Sequence, residues 1–256
     1  MSFKQSVRWV IALKSEAKCI IKNFKLKPLA YEGKFQIFKN KTETHWLIIS
    51  GIGQNNSKEA VKCLHKLGSS DAKSIWINLG IAGYSKDFGQ MFLIDKISLK
   101  NSKLKFYPSS VISLNLPRLG LLTLSKPSQK YAEKNLFDME GFSFYQEVEK
   151  ITYRELIAVI KIVSDDQDNS IRKISGSNVE KLINNNFIKI KNILDELINF
   201  LSILYEGKKE TNAFNEICNK HSFTFTQKSQ LKLLLQRWEA LFPEKNLMNE
   251  ITRFDD

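Results

Sequence analysis

Ser164-Asp165 follows directly on the segment 157–163, apolar everywhere but Lys161, so the chain delivers a carboxyl group to the end of a buried-looking strand. Ligands of open α/β sheets meet the protein at such strand ends, where a desolvated carboxyl can keep its proton near neutral pH and serve as a general acid. Asp138-Met139-Glu140 stands at the start of a helix predicted from the spacing of Phe142, Tyr145 and Val148. An ionised Glu140 can accept two hydroxyl donors at once, while Asp138 suits the cap of that helix. Glu16 lies in the first turn of another helix, just behind the apolar run 7–13. Each group also has a plainer explanation: Ser164-Asp165 as a turn cap, Glu140 as an acid favoured by the helix dipole with Met139 in the core, and Glu16 as a solvated first-turn glutamate. Residue type alone leaves both kinds of explanation open.

These groups need a frame. The β-branched run 7–13 leads into a helix starting at Ser15, with Glu16, Ala17, Ile20 and Ile21 at helical spacing. Segments 35–38 and 45–50 flank the polar Asn40-Lys41-Thr42 and predict a hairpin, after which Gly51-Ile52-Gly53 bends the chain into a helix over about 55–67. Segment 74–79 reads as a buried strand ending in Gly80-Ile81-Ala82-Gly83, with further strands over 91–99, 120–124 and 157–163. The pattern weakens over 100–117, which reads as loop plus a short strand. Strands alternating with helices predict an α/β architecture.

Beyond Asp168 the character changes. Apolar residues at Ile183, Phe187, Ile190, Leu194, Leu197, Leu201 and Leu204 predict one long amphipathic helix over 179–204, ended by Gly207. Two more helices are expected over about 212–219 and 226–241, the second capped by Thr226 and closed by Pro243. The domain division expected is therefore a main domain over 1–205 and a helical C-terminal extension over 206–256.

Composition narrows the classes. A chain of 256 residues with 43% hydrophobic content can bury one good-sized core. The net charge of +12, from 39 basic and 27 acidic side chains, favours contact with phosphates or anionic surfaces. Lysine and asparagine are nevertheless spread throughout, and no aromatic-plus-basic cluster stands out, which gives a nucleic-acid groove little support. The run 7–13 is too short to span a membrane and no small-residue cleavage site follows it, so a cytoplasmic protein without membrane contact is expected. Cys19, Cys63 and Cys218 are scattered and read as reduced thiols, and His45, His65 and His221 stand far apart with no ligand spacing. Neither a metal nor a cofactor is expected.

Taken together, Ala12-Leu13-Lys14-Ser15-Glu16, Ser50-Gly51-Ile52-Gly53, Asn78-Leu79-Gly80-Ile81-Ala82-Gly83, Phe137-Asp138-Met139-Glu140 and Ile162-Val163-Ser164-Asp165 resemble the nucleoside phosphorylase/nucleosidase superfamily. The likeness is particularly to the methylthioadenosine/S-adenosylhomocysteine nucleosidases and related phosphorylase-like branches, and it covers about residues 6–200. It implies a three-layer phosphorylase/hydrolase-like α/β fold around a central mixed sheet, a homo-oligomer, and cleavage of the N-glycosidic bond of a purine nucleoside. Such cleavage leaves negative charge on the departing base, so an acid must meet the base nitrogen. The resemblance assigns that acid to Asp165 and the base acting on water to Glu16. It places Glu140 on the vicinal ribose hydroxyls, Met139 against the sugar, and Ser164, Gly53, Gly80, Ile81 and Lys161 around the substrate.

The chain also departs from the pattern. Ile81 stands where many members have a small hydroxyl residue, Tyr84 replaces a second glycine, and Gln90 replaces an aspartate. Lys161 holds a position often occupied by arginine, keeping the charge but losing the fork. The stretch 94–138 is shorter than usual. Three functional classes follow: a hydrolytic nucleosidase, a phosphorylase that binds phosphate through Lys161, Arg172 or another basic residue, and a phosphorylase-like protein that binds without catalysis. The missing glycine-rich N-terminal phosphate loop at Val10-Ile11-Ala12 favours water as the nucleophile.

Overall fold

The computed structural model describes residues 6–68, 73–109, 112–128, 134–165, 175–206 and 212–252. Contacts divide the chain into two compact units, Lys4–Leu197 and Ile198–Asp256. The first is built on a mixed sheet whose strands are β1 (Val7–Ile11), β2 (Lys27–Pro28), β3 (Gln36–Lys39), β4 (His45–Ile49), β5 (Ile75–Gly83), β6 (Met91–Leu99), β7 (Lys105–Phe106), β8 (Arg118–Thr123), β9 (Asn135–Asp138) and β10 (Ile157–Asp165). Neighbours run β10-β6-β8-β9-β5-β1-β4-β3-β2, with β7 beside β6. Because β10 also pairs with β5, the strands β5, β10, β6, β8 and β9 close into a ring, which leaves those strands no free edge.

Four parallel strands, β4, β1, β5 and β10, form the middle of the sheet, with Val10 opposite both Ile48 and Asn78, and Asn78 opposite Val159. Every residue of β1 and of β10 is buried, as parallel strands covered on both faces require. Alternate residues serve different layers. Val10, Ile48, Trp76 and Val159 join the core under α2 (Gln54–Leu67) and α3 (Gly141–Val148), which pack on each other. The other face carries α1 (Lys14–Asn23), packed on α4 (Gly176–Asn185), and there Trp9 meets Phe24 at a ring separation of 5.7 Å. His45 stacks on Phe24 and accepts from Trp9 Nε1, and burial pushes its pKa down to about 4, so it belongs to the core as a neutral ring.

The remaining helices are α5 (Phe187–Glu206), α6 (Asn212–Lys220), α7 (Phe225–Leu241) and α8 (Leu247–Thr252). No described helix is long and apolar enough to cross a membrane.

Several local expectations change. The long helix predicted over 179–204 is two helices broken at Asn186, whose buried side chain donates to Leu182 O and to Gly89 O, drawing it out of the helical path. Gly207 lies outside the described residues. The cap of α7 is Thr224 and not Thr226: its hydroxyl accepts from Gln227 N while Gln227 Oε1 accepts from Thr224 N, a reciprocal pair that Thr226, inside the first turn, cannot make. Gly80-Ile81-Ala82-Gly83 forms the last four residues of β5, as expected, and β10 pairs with it through Gly83. The short strand β9 and helix α8 were not legible from periodicity, being too brief to show any.

Candidate active site

The carboxyl ends of β1, β4, β5 and β10 all point to one end of the sheet, and a cavity of about 290 Å³ opens there. Its wall takes Ala12 and Leu13 after β1, Ile52 after β4, Ile81 to Gly83 from β5, and Ser164 and Asp165 from β10. Leu124 and Phe137 to Glu140 close another side, and Gly176 and Val179 at the start of α4 another.

Asp165 reaches the cavity because β10 slips register between Val163 and Asp165, so that Asp165 lies opposite Gly83. Its Oδ1 accepts a 2.6 Å hydrogen bond from Ser164 Oγ, and its carbonyl accepts from Tyr84 N at 2.9 Å. Ser164 Oγ also lies 3.4 Å from Ala82 O.

Glu16 is not the solvated glutamate that a first turn usually holds; it is 2% exposed. Its Oε2 accepts from Leu13 N at 2.7 Å, closing the start of α1, and its Oε1 accepts from Ile81 N at 2.8 Å, reaching across to β5. Burial raises its pKa above the ordinary carboxylate value, against the lowering effect of the Ile81 amide and of Lys161.

Glu140 ends the turn between β9 and α3. Its Oε1 accepts from Gly53 N at 2.7 Å and its Oε2 lies 3.3 Å from Met139 N. Burial, with the neighbouring Asp138 carboxylate, pushes its pKa up to about 7, partly offset by Lys161 and the Gly53 amide. Gly53 can turn its amide inward because it adopts φ +101°, a conformation that side chains rarely tolerate.

Asp138 is engaged on every side. Oδ1 accepts from Thr123 Oγ1 at 2.7 Å, and Oδ2 accepts from Gly141 N at 2.7 Å and pairs with Lys161 Nζ at 2.9 Å. Thr123 Oγ1 in turn accepts from Phe142 N at 3.0 Å, so both residues cap α3. Lys161 is 1% exposed. Burial works against its charge, but the Asp138, Glu140 and Glu16 carboxylates outweigh it and hold the ammonium above the ordinary lysine pKa.

Of the residues singled out from the sequence, Glu16, Ile81, Met139, Glu140, Ser164 and Asp165 line the cavity together. Gly53, Gly80 and Lys161 are not among its lining residues. Gly53 acts on Glu140 from behind, and Gly80 leaves room for Glu16 and Lys161: a Cβ there would stand 3.0 Å from Glu16 Oε1 and 3.5 Å from Lys161 Nζ. Arg172 lies outside the described residues. Sequence reasoning missed Thr123, which carries no motif, and the contribution of Val179 and Gly176, which only the packing of α4 on α1 brings to the site.

No protein-family model and no curated protein sequence matches this chain. Solved structures do. The 5'-methylthioadenosine/S-adenosylhomocysteine nucleosidase of Helicobacter pylori superposes with a TM-score of 0.60 at 14% identity, over 76% of this chain and 100% of that one. The 5'-methylthioadenosine nucleosidase of Arabidopsis thaliana gives 0.59 at 18% identity, over 78% and 97%. The futalosine hydrolase of Helicobacter pylori gives 0.59 at 13% identity, over 75% and 98%. This chain therefore has the α/β fold of those nucleosidases, as its motifs led one to expect, at an identity that speaks for the fold alone.

Proposed function

We propose that this protein hydrolyses the N-glycosidic bond of a purine nucleoside. The observation that carries the reading is the convergence of Glu16, Glu140 and Asp165, far apart in sequence, on one cavity at the carboxyl ends of the central parallel strands. Two chemically different ends are thereby available. Asp165, as the acid, gives a proton to the purine as the bond to the anomeric carbon breaks. Glu16 takes a proton from the water that attacks that carbon, so the products are free base and the sugar carrying the new hydroxyl. Glu140 holds the vicinal ribose hydroxyls through its carboxylate, and Met139 lies against the sugar. Ser164 orients Asp165 through its 2.6 Å hydrogen bond.

Water is preferred over phosphate on electrostatic grounds. Glu16, Asp138 and Glu140 crowd this end of the molecule with carboxylates, and the buried ammonium near them, Lys161, is committed to Asp138 at 2.9 Å. Lys126 is then the only cation among the described lining residues of the cavity, and the glycine-rich N-terminal loop that would hold a phosphate is missing. The resemblance also supports a homo-oligomer.

The test is incubation of the purified protein with a panel of nucleosides, with and without phosphate, with detection of free base. Base release independent of phosphate supports the reading, and release only with phosphate transfers it to the phosphorylases. Binding without release under either condition replaces it by a binding function.

A further inference from the structure

Behind the wall of the cavity, one buried ammonium pairs with Asp138 and lies near two further carboxyls, Glu16 and Glu140. Lys161 Nζ touches Asp138 Oδ2, and it shares with Glu16 Oε1 the space over Gly80, where both lie within 3.5 Å of the point a Cβ would occupy. Glu140 stands two residues after Asp138 on the same turn and lines the cavity together with Asp138 and Glu16, close enough for its charge to act on Lys161. Asp138 is held too firmly to wander: Thr123 Oγ1 and Gly141 N fix its two oxygens, and neither donor depends on a substrate. Lys161 therefore has a fixed anchor, and its charge is kept beneath the site.

We propose that Asp138 is a positioning residue that anchors Lys161 behind Glu16 and Glu140, so that one shared counter-ion decides how far those two glutamates are ionised without occupying the substrate's space. This rests on the nucleosidase reading for its consequence, since Glu16 must be ionised to accept a proton from water, but the arrangement of charges stands without it. If all three carboxylates were ionised beside one ammonium, the buried group would carry two uncompensated negative charges. Desolvation opposes that, so a proton resides on the group until neutral pH is approached. Asp138 takes the direct pairing, and burial raises both remaining carboxyls, Glu16 and Glu140, the latter to about 7.

The charged groups that act on Glu140 are Asp138 from its own turn, Lys161 from β10 and Glu16 from α1, while Asp165 of β10 and Lys126, just after β8, line the same cavity. Two substitutions must then move Glu140 in opposite directions. Asp138→Asn is isosteric, removes a like charge and releases the ammonium from its nearest anion, so the midpoint of Glu140 falls by about one pH unit or more. Lys161→Met removes the counter-ion, so the midpoint rises by a similar amount. Lys161→Arg keeps the charge and leaves it near its original value.

The experiment is titration of the intact protein labelled with carbon-13 at the glutamate carboxyls, followed by NMR, with Glu140→Gln and Glu16→Gln identifying the two signals. Opposite movements in Asp138→Asn and Lys161→Met, with Lys161→Arg unmoved, support the proposal. A Glu140 midpoint indifferent to Lys161→Met overturns it, as does one that rises in Asp138→Asn. Each comparison decides alone if a variant fails to fold. Because the titration needs no turnover, it separates this proposal from the nucleosidase reading: absence of base release in every protein removes that reading and leaves the titration to judge the counter-ion. Where base release is measured, its acid limb follows the same opposite shifts.

Discussion

The amide of Gly53 donates a 2.7 Å hydrogen bond to Glu140 Oε1, tying the start of α2 to the start of α3 across 87 residues of sequence. Both partners are at special positions: Gly53 has φ +101°, and Glu140 is the residue that precedes the first turn of α3. Replacing Gly53 by alanine meets no neighbouring atom within 4 Å, so its effect isolates backbone strain. Gly53→Ala is expected to cost about 1–2 kcal/mol of stability and to release Glu140 from its orienting bond. Thermal unfolding checks the first, and a raised KM for nucleoside with a smaller change in kcat checks the second.

Asp165 supplies the sharpest chemical test. Asn at this position is nearly isosteric and can still accept from Ser164, which now donates at 2.6 Å, but it has no acidic proton to give. Asp165→Asn is expected to lower base release by about 10²- to 10⁴-fold while leaving the unfolding temperature within a few degrees. Unchanged release would remove the residue from the chemistry.

Glu140 makes stability depend on pH in an unusual direction. Its folded pKa of about 7 exceeds the ordinary value of 4.5, so the folded state binds the proton more tightly than the unfolded chain does. The contribution is fully present below pH 4.5 and is lost as pH rises through about 7, an effect of at most ~3 kcal/mol. Denaturant titrations between those limits are expected to show this part of stability falling with pH in the parent protein, and the fall largely abolished in Glu140→Gln.

Gly80 is a matter of space and not of backbone freedom. A methyl group there would stand 3.0 Å from Glu16 Oε1 and push the carboxylate off its 2.8 Å bond with Ile81 N. Gly80→Ala is expected to destabilise by about 1–3 kcal/mol and to depress base release more than binding. Denaturant unfolding and single-turnover rates measure the two parts.

How much of this was open to a reader of the sequence alone varies by element. The strands β1, β5, β6 and β10 are predominantly apolar segments, and their alternation with helices was sufficient for the architecture. The breaks were not. Asn186 interrupts a helix because its side chain finds Gly89 O, nearly a hundred residues earlier, and no periodicity within 179–204 contains that partner. Thr224 and Thr226 are equally good caps by composition, and the return bond from Gln227 selects the first.

The carboxylates follow the same division. Local sequence placed Glu16 in a first helical turn, Glu140 beside a helix start and Asp165 at a strand end, because those positions depend on near neighbours along the chain. Whether any of them faced solvent, a cap or a cavity was decided by tertiary structure, since burial and charge are set by groups remote in sequence. Glu16 is buried because Ile81 and Lys161 meet it from other strands, and Asp138, besides capping α3, pairs with Lys161, which arrives beside it on β10. Electrostatic character in a folded chain is a property of neighbours in space, and the topology of the sheet chooses those neighbours.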